Sequence, residues 1–190
     1  QTIATLSHHI KNIVQGLKGG GYLVDEGLKR DDLSTVSKGW RICLKNQERI
    51  EALVLDMLTM SKDRAPSRRS IDLRDVIEDV IELETQRAAE AGVNLVWSRP
   101  SEEDILQLDG EALHRAILNL VGNAIDACKD SENGIVKITL AMSKDSARIL
   151  IEDNGTGIAK TDLERIFSMF ESNKGSRGTG LGLPVSLKIA

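Results

Sequence analysis

The stretch Leu6-Ser7-His8-His9-Ile10-Lys11-Asn12 decides the first part of the fold, because it lies in a regular run of apolar residues. Steps of three and four residues separate them, a spacing that is typical of one helix in a coiled coil or a helical bundle. The run comprises Ile3, Leu6, Ile10, Ile13, Leu17 and Val24. The pattern therefore predicts a helix over residues 2–24.

His8 takes a distinct place on this helix. With Ile10 at the first of the two seam positions, His8 lies farthest from the seam, and we expect it to be exposed. Lys11 and Asn12 follow three and four residues later on the same face, whereas His9 lies beside the seam. A lone surface histidine commonly has no role, but an exposed imidazole offers a lone pair near neutral pH and can act as a nucleophile.

Three consecutive glycines, Gly19 to Gly21, interrupt the pattern. Each costs a helix about 1 kcal/mol relative to alanine, so the helix either frays there or uses the small residues for close packing. We expect it to continue a little past them. Residues 25–33 are predicted to form a connection, with Ser34 as the N-cap of a second helix over residues 35–61.

The second helix carries a wide apolar stripe. Its members are Val36, Cys43, Ile50 and Met57 at one seam position, Trp40 and Val54 at the other, and Leu44, Leu53 and Leu58 beside them. One helical hairpin cannot cover such stripes alone, so we predict that two copies form a four-helix bundle and that the chain is a homodimer. Docking of the hairpin on the second domain is the alternative.

Composition narrows the class of protein. A chain of 190 residues accommodates two domains, and a net charge of −4 gives no electrostatic argument for a nucleic-acid partner. The spacing of Cys43 and Cys128 fits neither a disulfide framework nor a zinc site. No apolar run approaches the roughly 20 residues that span a bilayer, so we expect a soluble segment. The seam already runs near Gln1, which indicates a piece of a longer protein and leaves open a membrane anchor outside it.

Residues 62–70 are polar, basic and interrupted by proline, and they mark a domain boundary. Beyond them the sequence predicts strands over 71–73, 93–97, 105–108, 135–140 and 147–152, and helices over 74–91, 111–129 and 183–190. Because strands and helices are grouped rather than strictly alternating, we predict an α+β sandwich with helices on one face of a mixed sheet.

Two glycine-rich stretches follow predicted strands or precede a helix. Asp153-Asn154-Gly155-Thr156-Gly157 can bring the backbone close to a flat ligand while its carboxylate accepts from an exocyclic amine, although an ordinary turn explains it equally well. The cluster at residues 178–183 opens onto a helix, where backbone N–H groups bind phosphate. It matches neither a Walker loop nor the dinucleotide pattern. The polar residues 172–177 between them suit a mobile lid over phosphates.

Asn119 and Asn123 lie four residues apart on a helix that is otherwise apolar at these positions. Buried amides need hydrogen-bond partners. The pair can bond to a neighbouring helix, or an amide oxygen can hold Mg²⁺ beside a triphosphate.

Five stretches, in this order, resemble the catalytic core of a sensor histidine kinase. They are residues 7–12 (its histidine box), Asn119-Leu120-Val121-Gly122-Asn123-Ala124 (asparagine box), residues 153–157 (first glycine box), Phe167-Ser168-Met169-Phe170 (phenylalanine box) and residues 178–183 (second glycine box). The likeness covers nearly the whole chain. It implies a dimeric four-helix bundle for histidine phosphotransfer over residues 1–62, a linker over 63–70, and a GHKL (Bergerat-type) ATP-binding domain over 71–190 that ends before its last strands.

The resemblance also implies a site and a reaction. His8 would be the phosphoacceptor, with His9 and Asn12 as further catalytic residues. The residues implied for ATP are Asn119, Asn123, Asp153, Gly155, Gly157, Lys174, Arg177, Gly178, Thr179, Gly180, Leu181 and Gly182, with Asn123 also holding Mg²⁺. The γ-phosphoryl group would pass from ATP to the imidazole and then to an aspartate of a response regulator, in a cytoplasmic segment of a protein that a membrane could anchor elsewhere.

Two positions depart from the family pattern. His9 stands where many members carry an acidic residue, so the usual general base is missing, and we expect slow autophosphorylation that falls as the pH drops. Ile13 stands where many carry proline, which changes only the helix bend. Two other functions stay open: a phosphotransfer bundle with an inactive ATP domain, and a GHKL kinase that phosphorylates serine.

Overall fold

Two long antiparallel helices dominate the first of two units into which the chain divides, a unit that also includes residues 168–181. They are α1 (Thr2–Lys29) and α2 (Leu33–Ser61). The computed structural model describes residues 2–61, 65–101, 105–143, 146–168 and 180–190. The predicted helical hairpin is confirmed, and α2 begins two residues earlier than expected.

The predicted connection over residues 25–33 is wrong for most of its length, because α1 continues to Lys29. Its last turn is held by ion pairs from Lys29 to Asp25 (2.5 Å) and from Arg30 to Glu26 (3.0 Å). Opposite charges four residues apart face each other on a helix and stabilise it.

Asp32, and not Ser34, caps α2. Its Oδ1 accepts hydrogen bonds from the backbone N–H groups of Ser34 (3.0 Å) and Thr35 (3.1 Å). The hydrogen bonds from Thr35 lower the pKa of the Asp32 carboxyl below its ordinary value. A carboxylate at this place satisfies N–H groups that have no partner within the helix.

Close packing of α1 against α2 explains four glycines of the hairpin, although nothing lies within 4 Å of a Cβ on Gly19 or Gly21. A Cβ on Gly20 would lie 2.7 Å from Sγ of Cys43, and one on Gly39 would lie 2.6 Å from the carbonyl oxygen of Gly20. Gly16 and Gly27 are equally constrained, by Asn46 and Val36 on α2. Contact between the helices therefore outweighs the low helix propensity of these residues.

The second unit contains the remaining elements of the structure. They are β1 (Arg69–Asp72), α3 (Leu73–Glu90), β2 (Val93–Trp97), β3 (Ile105–Leu108), α4 (Gly110–Cys128), β4 (Gly134–Met142), β5 (Ala147–Asp153) and α5 (Gly182–Ile189). Strand β4 pairs in parallel with β2 and antiparallel with β5, which confirms the predicted mixed sheet. Strands β1 and β3 form a separate antiparallel pair.

The core of this unit lies between the mixed sheet and the helices α3 and α4. Along β4, Val136 and Ile138 are buried, whereas Ile135 and Lys137 are exposed, as expected for a sheet covered on one face. The buried cluster comprises Ile77, Val80, Ala88, Val93, Ile117, Val121, Ala124, Ile125, Cys128, Val136 and Ile138. This core fixes α4, the helix that carries both candidate amides.

None of the described helices is long and apolar enough to cross a membrane. Over the same described residues, no group of three or more His, Cys, Asp or Glu side chains is placed to hold a metal ion. Both cysteines are free thiols, Cys128 buried and Cys43 half-buried.

Candidate functional site

His8 is exposed on α1, as its distance from the seam predicts. The amide Nδ2 of Asn12, one turn later, lies 3.3 Å from Nδ1 of His8. An asparagine amide offers both a donor and an acceptor, so Asn12 can engage Nδ1 in either tautomer of the ring. Asn12 thus holds one ring nitrogen of His8, and this contact orients the imidazole relative to α1.

His9 is half-buried, and its ring lies edge-on to that of His8 with centroids 6.3 Å apart. Burial, and then the neighbouring His8, lower the pKa of His9 below its ordinary value. His9 is therefore more completely neutral at pH 7 than an exposed histidine. A neutral imidazole can accept a proton. His9 becomes positively charged, and can then repel a positively charged His8, only at a lower pH than an exposed histidine would.

The two candidate amides lie one turn apart on α4. Both side chains are half-buried, and Nδ2 of Asn119 is buried with no hydrogen-bond partner among the described residues. A buried amide donor without a partner costs roughly 1–3 kcal/mol. This orphaned donor fits a ligand that carries acceptor oxygens better than it fits helix-to-helix bonding.

Helix α5 begins beside this amide. A Cβ on Gly182 would lie 3.4 Å from Cγ of Asn119, and Oγ of Ser186 donates to the carbonyl oxygen of Ala116 on α4 (3.4 Å). The first turn of α5 is thus held next to Asn119. Such a helix start favours anions.

The loop after β5 is fixed against the carboxyl end of α4. The N–H of Thr156 donates to the carbonyl oxygen of Ala127 (3.1 Å), and a Cβ on Gly155 would lie 2.4 Å from that same oxygen. Only glycine permits this approach. The N–H of Gly155 also donates to Oδ1 of Asp153 (2.9 Å), which orients an exposed carboxylate at the end of β5. Gly157, with φ +67°, completes the turn.

Asn154 has a structural role that its motif did not reveal. Its Oδ1 accepts from the N–H of Ile135 (2.7 Å), and its Nδ2 donates to the carbonyl oxygen of Asn133 (2.7 Å). The side chain therefore joins the loop to the start of β4. Its hydrogen bonds fix the residue that directly follows Asp153.

The remaining candidates are only partly described. Gly180 has φ +65°, a conformation that suits glycine, and Leu181 is buried. Four candidates lie outside the described residues: Lys174, Arg177, Gly178 and Thr179. The predicted lid and two of the phenylalanine-box residues lie there too, while Phe167 is exposed.

An arginine between α3 and α4 was not predicted from the sequence. Nη2 of Arg87 donates to Oδ1 of Asp126 (2.8 Å), and Nη1 to Oε2 of Glu84 (3.1 Å). Burial, and then the nearby Asp126, raise the pKa of Glu84 despite the opposing effect of Arg87. Arg87 and Asp126 are 39 positions apart in the sequence, so no local pattern could reveal their ion pair.

Comparison with known proteins agrees with this geometry. Residues 108–190 match the family described as histidine kinase-, DNA gyrase B-, and HSP90-like ATPase. A relative, the sensor histidine kinase MtrB of Mycolicibacterium paratuberculosis (strain ATCC BAA-968 / K-10), is 30% identical over 165 residues, 82% of this chain and 29% of its own length. The chain thus spans less than a third of that relative.

Two solved structures share the fold of both units. Full-length ShkA in complex with AMPPNP gives a TM-score of 0.66 at 24% identity, over 98% of this chain and 39% of that one. The histidine kinase ThkA in complex with the response regulator protein TrrA gives a TM-score of 0.64 at 24% identity, over 99% and 55% of the two chains.

The mixed sheet, the amide-bearing α4 and the glycine loop after β5 define an ATP-binding domain of the histidine kinase, gyrase B and HSP90 type. Joined to a helical hairpin with an exposed histidine, this domain makes the chain a histidine kinase catalytic core. The resemblance seen in the sequence is thereby confirmed at the level of the family.

Proposed function

We propose that this chain is the kinase core of a two-component sensor, which transfers the γ-phosphoryl group of ATP to His8 and then to an aspartate of a response regulator. The observation that carries the proposal is the exposed His8 whose Nδ1 lies 3.3 Å from the Asn12 amide. A histidine without a role needs no such support, whereas a nucleophile gains from fixed orientation.

We propose Nε2 of His8 as the nucleophile. Nδ2 of Asn12 lies 3.3 Å from Nδ1 of His8, and a half-turn of the amide would present Oδ1 instead. Nδ1–H would then donate to Oδ1, and the lone pair of the neutral ring would lie on Nε2. Attack by Nε2 forms the N–P bond, the bond from the γ-phosphorus to the bridging oxygen breaks, and ADP leaves. The Nδ1 proton then stabilises the positive ring through the same hydrogen bond. Neutral His9, whose ring centroid lies 6.3 Å from that of His8, can accept a proton.

The nucleotide would bind along α4. Nδ2 of Asn119 offers a buried donor to a phosphate oxygen, and Asp153 is fixed so that its carboxylate can accept from the adenine amine. Asn123 would hold Mg²⁺ through its amide oxygen. That ion supplies neutralisation of phosphate charge, which together with positioning accounts for most phosphoryl-transfer catalysis. By resemblance to the family, residues 178–182 and the cations Lys174 and Arg177 are also assigned to binding the phosphates.

A second copy of the chain and a response regulator are the proposed partners. Large apolar side chains remain exposed along α2, among them Trp40, Leu44, Val54 and Leu58. Their spacing of four, fourteen and eighteen residues puts them on one helix face, which a second hairpin would cover in a four-helix bundle. The complex of ThkA with TrrA supports a receiver domain as the next phosphoryl acceptor. We place this segment in the cytoplasm, where ATP and the regulator are found, and the domain limits at residues 1–62 and 71–190.

Incubation with γ-labelled ATP and Mg²⁺ tests this function. We expect a label that acid removes and alkali does not, because a phosphoramidate is acid-labile. His8→Gln should abolish the label while ATP affinity is unchanged, and Asn123→Asp should abolish both. An acid-stable label would instead favour a serine kinase, and nucleotide binding without any label would contradict the proposal.

Asn12 has a second proposed role, in orienting the water that removes phosphate from the regulator. Asn12→Ala should slow this dephosphorylation more than autophosphorylation, since a neutral imidazole reaches the required tautomer without help. Equal loss in both reactions would assign Asn12 to His8 alone.

A further inference from the structure

Arg87 of α3 reaches across to α4 at the turn that carries Asn123. Its Nη2 lies 2.8 Å from Oδ1 of Asp126 and 3.4 Å from the carbonyl oxygen of Gly122. A Cβ on Gly122 would lie 2.8 Å from Nη1 of Arg87, so the glycine leaves the space that the guanidinium occupies. The contact thus involves a side chain, a backbone carbonyl and a glycine that makes room for both.

Asp126 lies on the amide face of α4. It follows Asn123 by three residues and Asn119 by seven, a spacing that places all three on one stripe of the helix. The side chain is exposed, and neighbours at this spacing have Cβ atoms about 5–6 Å apart. An uncompensated carboxylate at this place would repel a polyanion bound beside the amides.

We propose that Arg87 neutralises Asp126 and so keeps the amide face of α4 receptive to the anionic triphosphate of a nucleotide. The inference rests on the proposed nucleotide site and goes beyond it, because it assigns a role to a pair that the site itself does not include. Arg87 is a positioning residue here: it acts through Asp126 and need not contact the nucleotide.

The surroundings of Arg87 support a lasting positive charge. Burial works to lower the pKa of Arg87, but the carboxylates of Glu84 and Asp126 outweigh it, and the pKa is raised. Glu84 is buried and shares the same guanidinium. One arginine therefore pairs with two carboxylates, and its removal would take one positive charge away from the exposed carboxylate beside the proposed phosphate site.

Calorimetric titration of the whole chain with AMPPNP and Mg²⁺ tests the proposal. Arg87→Met should raise the dissociation constant about tenfold, as expected for a change of one unit charge about 6 Å from a doubly charged ligand at a solvated surface. The double variant Arg87→Met/Asp126→Asn should return to within about twofold of wild type. The loss in the single variant should shrink as salt rises, because screening weakens exposed charges.

Two further variants separate charge from folding. Arg87→Met/Glu84→Gln removes the buried carboxylate that loses its partner but keeps Asp126 charged, so it should bind as weakly as Arg87→Met even where its unfolding temperature recovers. Arg99→Met is the matched control, since Arg99 pairs with Asp75 and Glu78 on α3 and not with α4, and its affinity should not change.

The outcomes distinguish this inference from the function on which it rests. A double variant with Asp126→Asn that binds as weakly as Arg87→Met, or a salt-independent loss, would show that Arg87 acts through packing and would overturn the proposal. Unchanged affinity in Arg87→Met would do the same while leaving the nucleotide site intact. If the wild-type chain fails to bind AMPPNP, the proposed function falls, and this inference falls with it.

Discussion

Ile125 on α4 and Ile10 on α1 are the same side chain in two different settings. Ile125 is 1% exposed inside a cluster drawn from two helices and the sheet, whereas Ile10 is 45% exposed. Among the described residues of the hairpin, Ile13 and Leu53 are the large apolar side chains that are buried. The second unit therefore closes its own core, while the hairpin leaves apolar surface exposed, which we propose that a second copy of the chain covers.

Of the changes that we predict, charges placed on the exposed apolar face of α2 should have the largest effect, and that effect is on self-association. Val54→Glu/Leu58→Glu should weaken self-association by a factor of about 1,000 or more, equivalent to about 4 kcal/mol, because two charges would enter the proposed interface. Sedimentation of the whole chain measures this. Leu83→Glu is the matched control, since Leu83 is exposed on α3 of the other unit. A wild-type chain that is monomeric, or a variant that stays dimeric, would show that the apolar stripe of α2 does not form a dimer interface.

Truncation of the closed core should have the next largest effect. Ile125→Ala should lower the free energy of unfolding of the second unit by about 3 kcal/mol, through lost burial and the cavity left behind. Because this core is complete within one chain, the loss should be independent of protein concentration in denaturant titrations. A concentration-dependent loss would mean that the second unit, too, relies on a partner.

Two neighbouring glycines sharpen the comparison within α1. Gly20→Ala should destabilise the hairpin by about 2 kcal/mol, because its Cβ would lie 2.7 Å from Sγ of Cys43 and 2.8 Å from the backbone of Gly39. Gly19→Ala should stabilise it by up to about 1 kcal/mol, because nothing lies within 4 Å of that Cβ. Thermal unfolding followed by helix signal measures both. If the two variants respond alike, the glycine contact between the helices is not as described.

The half-buried His9 should produce the smallest effect. Since its folded-state pKa is lowered, the unfolded chain binds the proton more readily between the lowered value and the ordinary value near 6.5. The free energy of unfolding of the hairpin should therefore fall as the pH drops through that window and then level off. His9→Gln should flatten this part of the profile in denaturant titrations, and an unchanged slope would exclude His9 as its source.

Local patterns in the sequence predicted most of the elements, because the period of apolar residues is set by the helix or strand itself. Strand 93–97 and strand 105–108 agree with the structure to the residue. The pattern failed over residues 25–33, where ion pairs and an aspartate cap extend α1 and start α2. The pattern also suggested that the glycines weaken α1, whereas Gly20 permits the close contact of α1 with Gly39 of α2.

The candidate site was predictable to the extent that short motifs carry it. The loop at Asp153 lies against Ala127, near the end of the helix that carries Asn119 and Asn123, which motif order alone did not show. Arg87 escaped prediction because its partner Asp126 is distant in sequence. The roles of all these residues stay predictions that measurements of nucleotide binding by their variants can test.

The most direct test of the central claim is phosphorus NMR of the chain after incubation with ATP and Mg²⁺, in denaturing alkali where phosphohistidine survives. We predict one phosphohistidine, substituted at Nε2, that is absent from His8→Gln and present in His9→Gln. A phosphoryl group at Nδ1, or one that persists in His8→Gln, would contradict the assignment of an exposed His8 oriented by Asn12 as the phosphoacceptor.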